Sequence, residues 1–227
     1  MQAIILCGGL STRLGNITKR VPKILLDIRG RTVLEWQIEL LKQAGVGEVI
    51  LASGHLHDTL VKAVGARCNG VSMQYAKEET RLDTGGAIKH AMQYICTSPF
   101  FVLNGDVLLE DFALSAMLNC FQRETVGVLL GVLVEDVSTY GEIDSDDRNR
   151  ITGFREKQRI QRSGFINAGV YLFNRSMANY FPNQDVFSIE KDVFPYAQNL
   201  YVLKAAINWI DVGDPKRLAY ARQCFGT

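Results

Sequence analysis

Residues 3–7 read Ala3-Ile4-Ile5-Leu6-Cys7 and run directly into Gly8-Gly9, then Ser11-Thr12-Arg13-Leu14 and, further on, Pro22-Lys23. The apolar run does not alternate with polar residues, which predicts a strand buried on both faces, as in a parallel sheet. Gly8 and Gly9 free the backbone and present no Cβ to an approaching ligand. Successive N–H groups of such a loop can converge on an anion. Arg13 adds a planar fork suited to phosphate oxygens, and Lys23 a compact charge. Pro22 fixes its own φ and pushes Val21 toward extended geometry, which helps aim Lys23. A glycine-rich surface turn with solvated basic residues is the alternative for this loop taken alone.

Other phosphate loops do not fit. A P-loop has Lys-Ser/Thr directly after its last glycine, and a dinucleotide fingerprint spaces its first two glycines by one residue. Here Gly8 and Gly9 are adjacent and the next glycine is Gly15.

The remainder of the chain alternates strand-like and helix-like stretches. Strands are expected at 48–52, 71–76 and 100–104, and helices at 33–44, 57–64 and 84–95. Thr32 with Glu35 resembles a capping box, and Gly45 supplies a stop. Asp111 is positioned to cap a helix ending near Gln122. This βα alternation predicts a mostly parallel sheet with helices on both faces, whose ligands sit beyond the carboxyl ends of the strands. The second half reads as strands at 126–134, 140–144, 150–155, 165–173 and 200–203, with helices at 187–194 and 215–224.

Among 227 residues, 25 basic and 24 acidic side chains leave a net charge of +1, and 47% of the residues are hydrophobic. That balance gives no basic stripe for nucleic acid and no acidic tail, and no apolar stretch is long enough to span a membrane. The N-terminus has no basic and apolar leader pattern. Five scattered cysteines without a Cys-x-x-Cys predict reduced thiols and a cytoplasmic protein. His55 and His57 lack a third ligand candidate nearby, so a loop or helix start is favoured over a metal site.

Two carboxylates follow buried strands. Asn104-Gly105-Asp106 follows Phe101-Val102-Leu103, and Asp211 lies in Trp209-Ile210-Asp211-Val212-Gly213-Asp214-Pro215. Each segment also reads as an ordinary turn, with Asp214 as a helix cap before Pro215. Taken together, Asp106 and Asp211 suit Mg²⁺, which takes one or two carboxylates and completes its shell with substrate phosphates. Leu82-Asp83-Thr84-Gly85-Gly86 opens a helix. Asp83 or Thr84 caps it, Asp83 can also accept N–H groups from a base edge, and Gly85-Gly86 allows a planar ring to lie flat. Glu156 and Lys157 at a strand end suit a sugar hydroxyl and its phosphate. Asn167-Ala168-Gly169 interrupts an apolar strand, as a bulge or as a close approach. Tyr140-Gly141 is a turn or a backbone surface for a sugar.

These motifs, in this order, resemble the sugar-1-phosphate nucleotidyltransferase family over essentially the whole chain. The resemblance implies a single α/β domain over residues 1–227: a Rossmann-like, three-layer (GT-A-like) nucleotidyltransferase fold with a mostly parallel central sheet and a small antiparallel extension, and no C-terminal β-helix. It implies Mg²⁺-dependent attack of a sugar 1-phosphate on the α-phosphate of a nucleoside triphosphate, with release of pyrophosphate. Arg13, Lys23, Asp106 and Asp211 match its catalytic positions, the last two its metal ligands. Leu6, Gly8, Gly9, Ser11, Thr12, Asp83, Gly85 and Gly86 match the nucleotide side. Asn104, Gly141, Glu156, Lys157 and Asn167 match the sugar-phosphate side. Phe187–Asp192 and Asn167–Tyr171 look most like members using GTP and a heptose 1-phosphate, so GTP is the favoured triphosphate. Leu82–Gly86 and the Trp209–Gly213 run also look like members using UTP and an N-acetylated sugar. The pattern departs at Ser11 and Asp83, where a glycine is usual. A homo-oligomer is compatible with the sequence.

Two other classes fit parts of the chain. Asp144-Ser145-Asp146 is the Asp-x-Asp of a glycosyltransferase, although its acidic, Arg-rich setting reads as a solvated hairpin. A non-catalytic sugar-nucleotide-binding subunit is the other, against which the retained aspartates and lysines argue.

Overall fold

The computed structural model describes residues 1–155 and 161–226. In chain order the strands are β1 (Gln2–Leu6), β2 (Asp27–Ile28), β3 (Arg31–Thr32), β4 (Glu48–Ser53), β5 (Arg67–Cys68), β6 (Val71–Lys77), β7 (Phe100–Asn104), β8 (Val107–Leu109), β9 (Gly127–Val134), β10 (Glu142–Ser145), β11 (Ile151–Arg155), β12 (Gly164–Phe173), β13 (Leu200–Ala205) and β14 (Trp209–Asp211). The helices are α1 (Val33–Gln43), α2 (His57–Val64), α3 (Asp83–Ala91), α4 (Ser115–Asn119), α5 (Ile189–Asp192) and α6 (Pro215–Cys224).

One large sheet runs in the order β11-β10-β12-β7-β1-β4-β6-β5, with β9 against β12 and β13 against β9. The centre, β7-β1-β4-β6, is parallel, and β12 joins β7 antiparallel. β12 pairs with β10 near its start, with β7 at its end, and with β9 on both sides of an irregularity between them. Its register shifts between Asn167 and Tyr171, around Gly169 at φ +72°. The bulge reading of Asn167-Ala168-Gly169 is therefore met, and it bends the strand from the extension into the central sheet.

The sheet is the middle of three layers. Ala3 and Ile5 of β1 pack with α1, α2, α4 and α6 on one face, and Ile4 packs with α3 and α5 on the other. A strand buried on both faces is what the apolar run of β1 predicts. α1 begins at the expected capping box: Thr32 Oγ1 accepts from Glu35 N at 3.1 Å, and Glu35 Oε2 accepts from Thr32 N at 2.7 Å.

Two helix expectations are corrected. Asp111 caps nothing: it sits at φ +55°, and α4 is only the five residues Ser115–Asn119. Likewise α5 is a single turn, Ile189–Asp192, rather than a helix over 187–194. No helix of the described residues is long and apolar enough to cross a membrane.

Candidate active site

A cleft of about 420 Å³ opens at the carboxyl ends of β1 and β7. Its walls include Leu6, Gly8, Gly9, Ser11, Thr12, Arg13, Lys23, Asp83, Asn104 and Asp106, ten of the positions singled out in the sequence. Gly8 is required by its surroundings: a Cβ there would lie 2.4 Å from Glu78 Oε1 and 3.2 Å from Gly54 N. After Gly9, Thr12–Lys19 folds into 3₁₀ turns broken at Gly15, φ +59°. Leu14 N and Thr18 Oγ1 both donate to Ser11 O, holding the loop on itself.

The Asn104-Gly105-Asp106 turn is held from beneath. Gln37, fully buried on α1, donates from Nε2 to Asn104 O and Val107 O, each at 2.8 Å. Gly105 N donates to Leu6 O at 2.9 Å, and a Cβ on Gly105 would come within 2.5 Å of that same oxygen. The turn is thus pressed against the end of β1, which puts Asp106 across the cleft mouth from the glycine loop. Asp106 Oδ2 accepts from Lys23 Nζ at 2.5 Å. Asn104 Oδ1 is buried without a hydrogen-bond partner among the described residues.

Asp211 does not line this cleft; it lies on β14, beside the turn that carries Asp106. It pairs opposite Val107 of β8, and Val212 N donates to Asp106 O at 2.8 Å. Asp211 thus lies on the strand next to the one that follows Asp106. Asp211 accepts from Gly213 N at 3.0 Å and from the Arg217 guanidinium. Arg13 Nη2 lies 3.2 Å from where a Gly213 Cβ would be, which brings the loop guanidinium against this turn. Asp214 caps α6 as expected, accepting from Lys216 N and Arg217 N at 2.9 and 3.0 Å. The Arg217 amide bond is the main reason its carboxyl lies below the usual range.

Gly85 and Gly86 have a different neighbour from the planar ring expected. Their Cβ directions point at the Phe187 ring, 2.4 Å away, and at Asp185 O, 2.0 Å away. Their N–H groups donate to Phe187 O. The glycines let the 185–189 segment pack under α3, and this segment meets the α3 amides that a side-chain cap would otherwise serve. Asp83 is no conventional cap: it holds φ +61°, and among the described residues its side chain accepts from Thr84 N, at 2.8 Å. Thr84 Oγ1 turns instead to Glu190, with Ser188 Oγ donating to the same carboxylate.

On the extension, Asn167 Nδ2 donates to Tyr171 Oη at 3.0 Å, and its Oδ1 accepts from Gly169 N. Gly141 is exposed and accepts from Asn167 N at 3.3 Å. Glu156 and Lys157 lie outside the described residues. Asp144 accepts from Arg155 Nε at 2.7 Å, and Asp146 serves the Arg148 and Arg150 amides, so the Asp-x-Asp is spent within its hairpin.

Glu78 was not singled out in the sequence. It follows β6 at the carboxyl edge of the sheet, lines the cleft and accepts from Leu82 N at 3.3 Å. Burial raises its carboxyl above the usual range, against the lowering effect of that amide. The rule that found Asp106, a carboxylate just past a strand, applies to Glu78 equally. Gln37 carries the weaker signal of a polar residue on an apolar helix face. Arg217 carries none, since nothing local links it to Asp211.

A sheet with a parallel centre, a glycine loop after its first strand and a carboxylate turn after that strand's neighbour is the arrangement of the nucleotide-binding α/β folds. The chain belongs to the nucleotidyl transferase family, whose profile matches residues 2–225. It is 34% identical to the D-glycero-alpha-D-manno-heptose 1-phosphate guanylyltransferase of Campylobacter jejuni over 95% of this chain and 96% of that protein. It is 35% identical to the mannose-1-phosphate guanylyltransferase catalytic subunit beta of Danio rerio over 95% of this chain, spanning 62% of that longer protein. In structure it is similar to HddC from Yersinia pseudotuberculosis complexed with GMP-PN: TM-score 0.84, 31% identity, 98% of each chain covered.

Proposed function

We propose that the protein transfers a nucleotidyl group from a nucleoside triphosphate to a sugar 1-phosphate and releases pyrophosphate. GTP is the favoured triphosphate and D-glycero-α-D-manno-heptose 1-phosphate the favoured acceptor. The observation that carries this reading is the shared cleft of the glycine loop, Arg13, Lys23 and Asp106.

The guanine preference is supported by Glu78. A carboxylate is an acceptor-only group. Guanine offers two adjacent donors, N1–H and N2–H, whereas uracil offers one N–H between two carbonyl oxygens that would repel it. The heptose preference is supported by the Campylobacter relative, which this chain covers almost end to end. Mannose 1-phosphate is the second acceptor to consider, on the similarity to the longer guanylyltransferases.

The chemistry asks little covalent work of the protein. A sugar-phosphate oxygen, already anionic at neutral pH, attacks the α-phosphorus in line with the leaving pyrophosphate, so no general base is needed. The loop amides and Arg13 stabilise charge on the leaving side. Lys23 offsets repulsion between the two phosphates, and Lys157 meets the sugar phosphate. Asp106, in the turn before β8, and Asp211, on β14 opposite Val107, are the carboxylates that would hold Mg²⁺, an all-oxygen pair. Bound there, Mg²⁺ supplies charge neutralisation and orientation of phosphate oxygens.

The test is a matrix of triphosphates against heptose, mannose, glucose and N-acetylated sugar 1-phosphates, scored by pyrophosphate release. The greatest turnover is expected for GTP with the heptose. Pyrophosphate from no pair would end the transferase reading.

A further inference from the structure

Neither candidate metal carboxylate stands without a counter-cation. Lys23 occupies Asp106, and Arg217 occupies Asp211. The two pairs are built differently. Lys23 lies on a flexible stem in the wall of the cleft, where an arriving triphosphate attracts it. Arg217 is fixed on three sides. Its Nη1 donates to Asp211 Oδ2, its Nε lies 3.5 Å from Asp214 Oδ2, and its guanidinium carbon sits 4.9 Å from the Tyr140 ring centroid. Its side chain is 26% exposed and that of Asp211 17%, so water screens this pair less than a surface one. The second oxygen of Asp211 is taken by Gly213 N, and the Arg13 guanidinium lies alongside the same turn.

We propose that Arg217 is a resident counter-cation of Asp211 that keeps free divalent ions off this carboxylate, so that a metal ion binds there only together with a triphosphate. This rests on the metal assignment made above. A divalent ion alone at Asp211 must face a fixed guanidinium a few ångströms away and displace a bidentate-capable donor from its carboxylate. A triphosphate brings several negative charges into the cleft and reverses that balance. The device suits an enzyme of nucleoside triphosphates, since it couples metal entry to substrate entry.

The test uses Mn²⁺ alone as a probe of the nucleotide-free protein, with free Mn²⁺ read by electron paramagnetic resonance. Arg217→Met keeps the length and apolar stem but removes the charge. It is expected to bind one Mn²⁺ at least about tenfold more tightly than the unaltered protein, as removal of a close like charge requires. Arg217→Lys keeps the charge and is expected to match the unaltered protein, which separates electrostatics from packing. Adding Asp211→Asn to Arg217→Met is expected to abolish the gain. Equal Mn²⁺ affinity in the unaltered protein and Arg217→Met, including binding to neither, overturns the proposal. A gain that survives Asp211→Asn overturns it too. Pyrophosphate release by the unaltered protein is scored separately, so a failure of the transferase reading is seen independently of the Mn²⁺ result.

Discussion

Lys23 Nζ meets Asp106 Oδ2 at 2.5 Å, joining positions 83 residues apart in the chain. One comes from the loop after β1 and the other from the turn after β7, so the contact exists only because those strands are parallel neighbours. The cation proposed to meet phosphate and the carboxylate proposed to hold Mg²⁺ are thus partners in this structure. Lys23→Ala and Asp106→Ala are each expected to lower turnover by at least about 10²-fold, the scale of losing one preorganised stabilising group. Because the two side chains are in direct contact, the double variant should lose less than the product of the single losses. Steady-state pyrophosphate release measures all three. A folded Asp106→Ala protein with near-normal turnover would contradict the metal assignment.

Burial of Glu78 makes stability, and the proposed guanine preference with it, depend on pH. Its carboxyl is raised from its ordinary 4.5, chiefly by burial. The folded protein therefore holds this proton to higher pH than the unfolded chain does. Its contribution to stability falls as pH rises from the unfolded value through the raised folded one, and is level above that. Urea unfolding from pH 4 upward should show this decline in the unaltered protein and a flatter profile in Glu78→Gln. GTP recognition runs in the opposite direction, since only the ionised carboxylate accepts both guanine N–H groups. The KM for GTP should rise as pH falls through the same window. Glu78→Gln should cut the preference for GTP over UTP by about tenfold or more, within the range for one bidentate base contact. An unchanged preference would remove Glu78 from base reading.

Two glycines of the site separate folding from binding. At Gly105 a Cβ would press on Leu6 O at 2.5 Å, a backbone atom that cannot swing away. Gly105→Ala should cost about 1–3 kcal/mol of stability, as overpacking does, with activity lost alongside. At Gly213 the neighbours are Arg13 and Asp211 side-chain atoms, which can shift. Gly213→Ala should cost less stability than Gly105→Ala but raise the KM for the triphosphate by displacing Asp211 and Arg13. An unchanged KM in a folded Gly213→Ala protein would show that Arg13 does not serve the triphosphate from its place beside Gly213.

The parts of this molecule that were legible in the sequence are those specified locally. β1 could be read because its apolar run is unbroken, α1 because Thr32 and Glu35 meet within one turn, and the α6 cap because Asp214 precedes Pro215. The glycine loop and the Asp106 turn could be read because sheet topology places strand ends together. The parts that were not legible depend on partners distant in sequence. Gly85 and Gly86 serve Phe187 and Asp185, about a hundred positions later, so they looked free to face a base. α5 starts at its Ser188 cap but ends after one turn, where Val193 leaves helical geometry at φ −125°, which no local residue pattern marks. Arg217 is seven residues beyond Ile210 on a helix face that gives no sign of the strand it serves.

The two departures from the family's glycine pattern share one backbone feature. Ser11 adopts φ +50° and Asp83 φ +61°, the left-handed conformation that glycine takes without penalty. For a residue with a Cβ this conformation costs about 1–2 kcal/mol, least for Asp and Asn, whose side chains bond locally. Asp83 has that local bond, to Thr84 N at 2.8 Å, whereas the Ser11 side chain makes no capping bond to the turn it begins. Ser11→Gly should therefore raise stability, by up to about 1 kcal/mol once the extra freedom of glycine in the unfolded chain is subtracted. Asp83→Gly should leave stability level or lower it, because the hydrogen bond goes with the strain. Denaturant midpoints at constant slope decide between them. If Ser11→Gly destabilises the protein as much as Asp83→Gly, the phosphate loop holds no strain at Ser11, and the serine is instead stiffening a conformation the loop prefers.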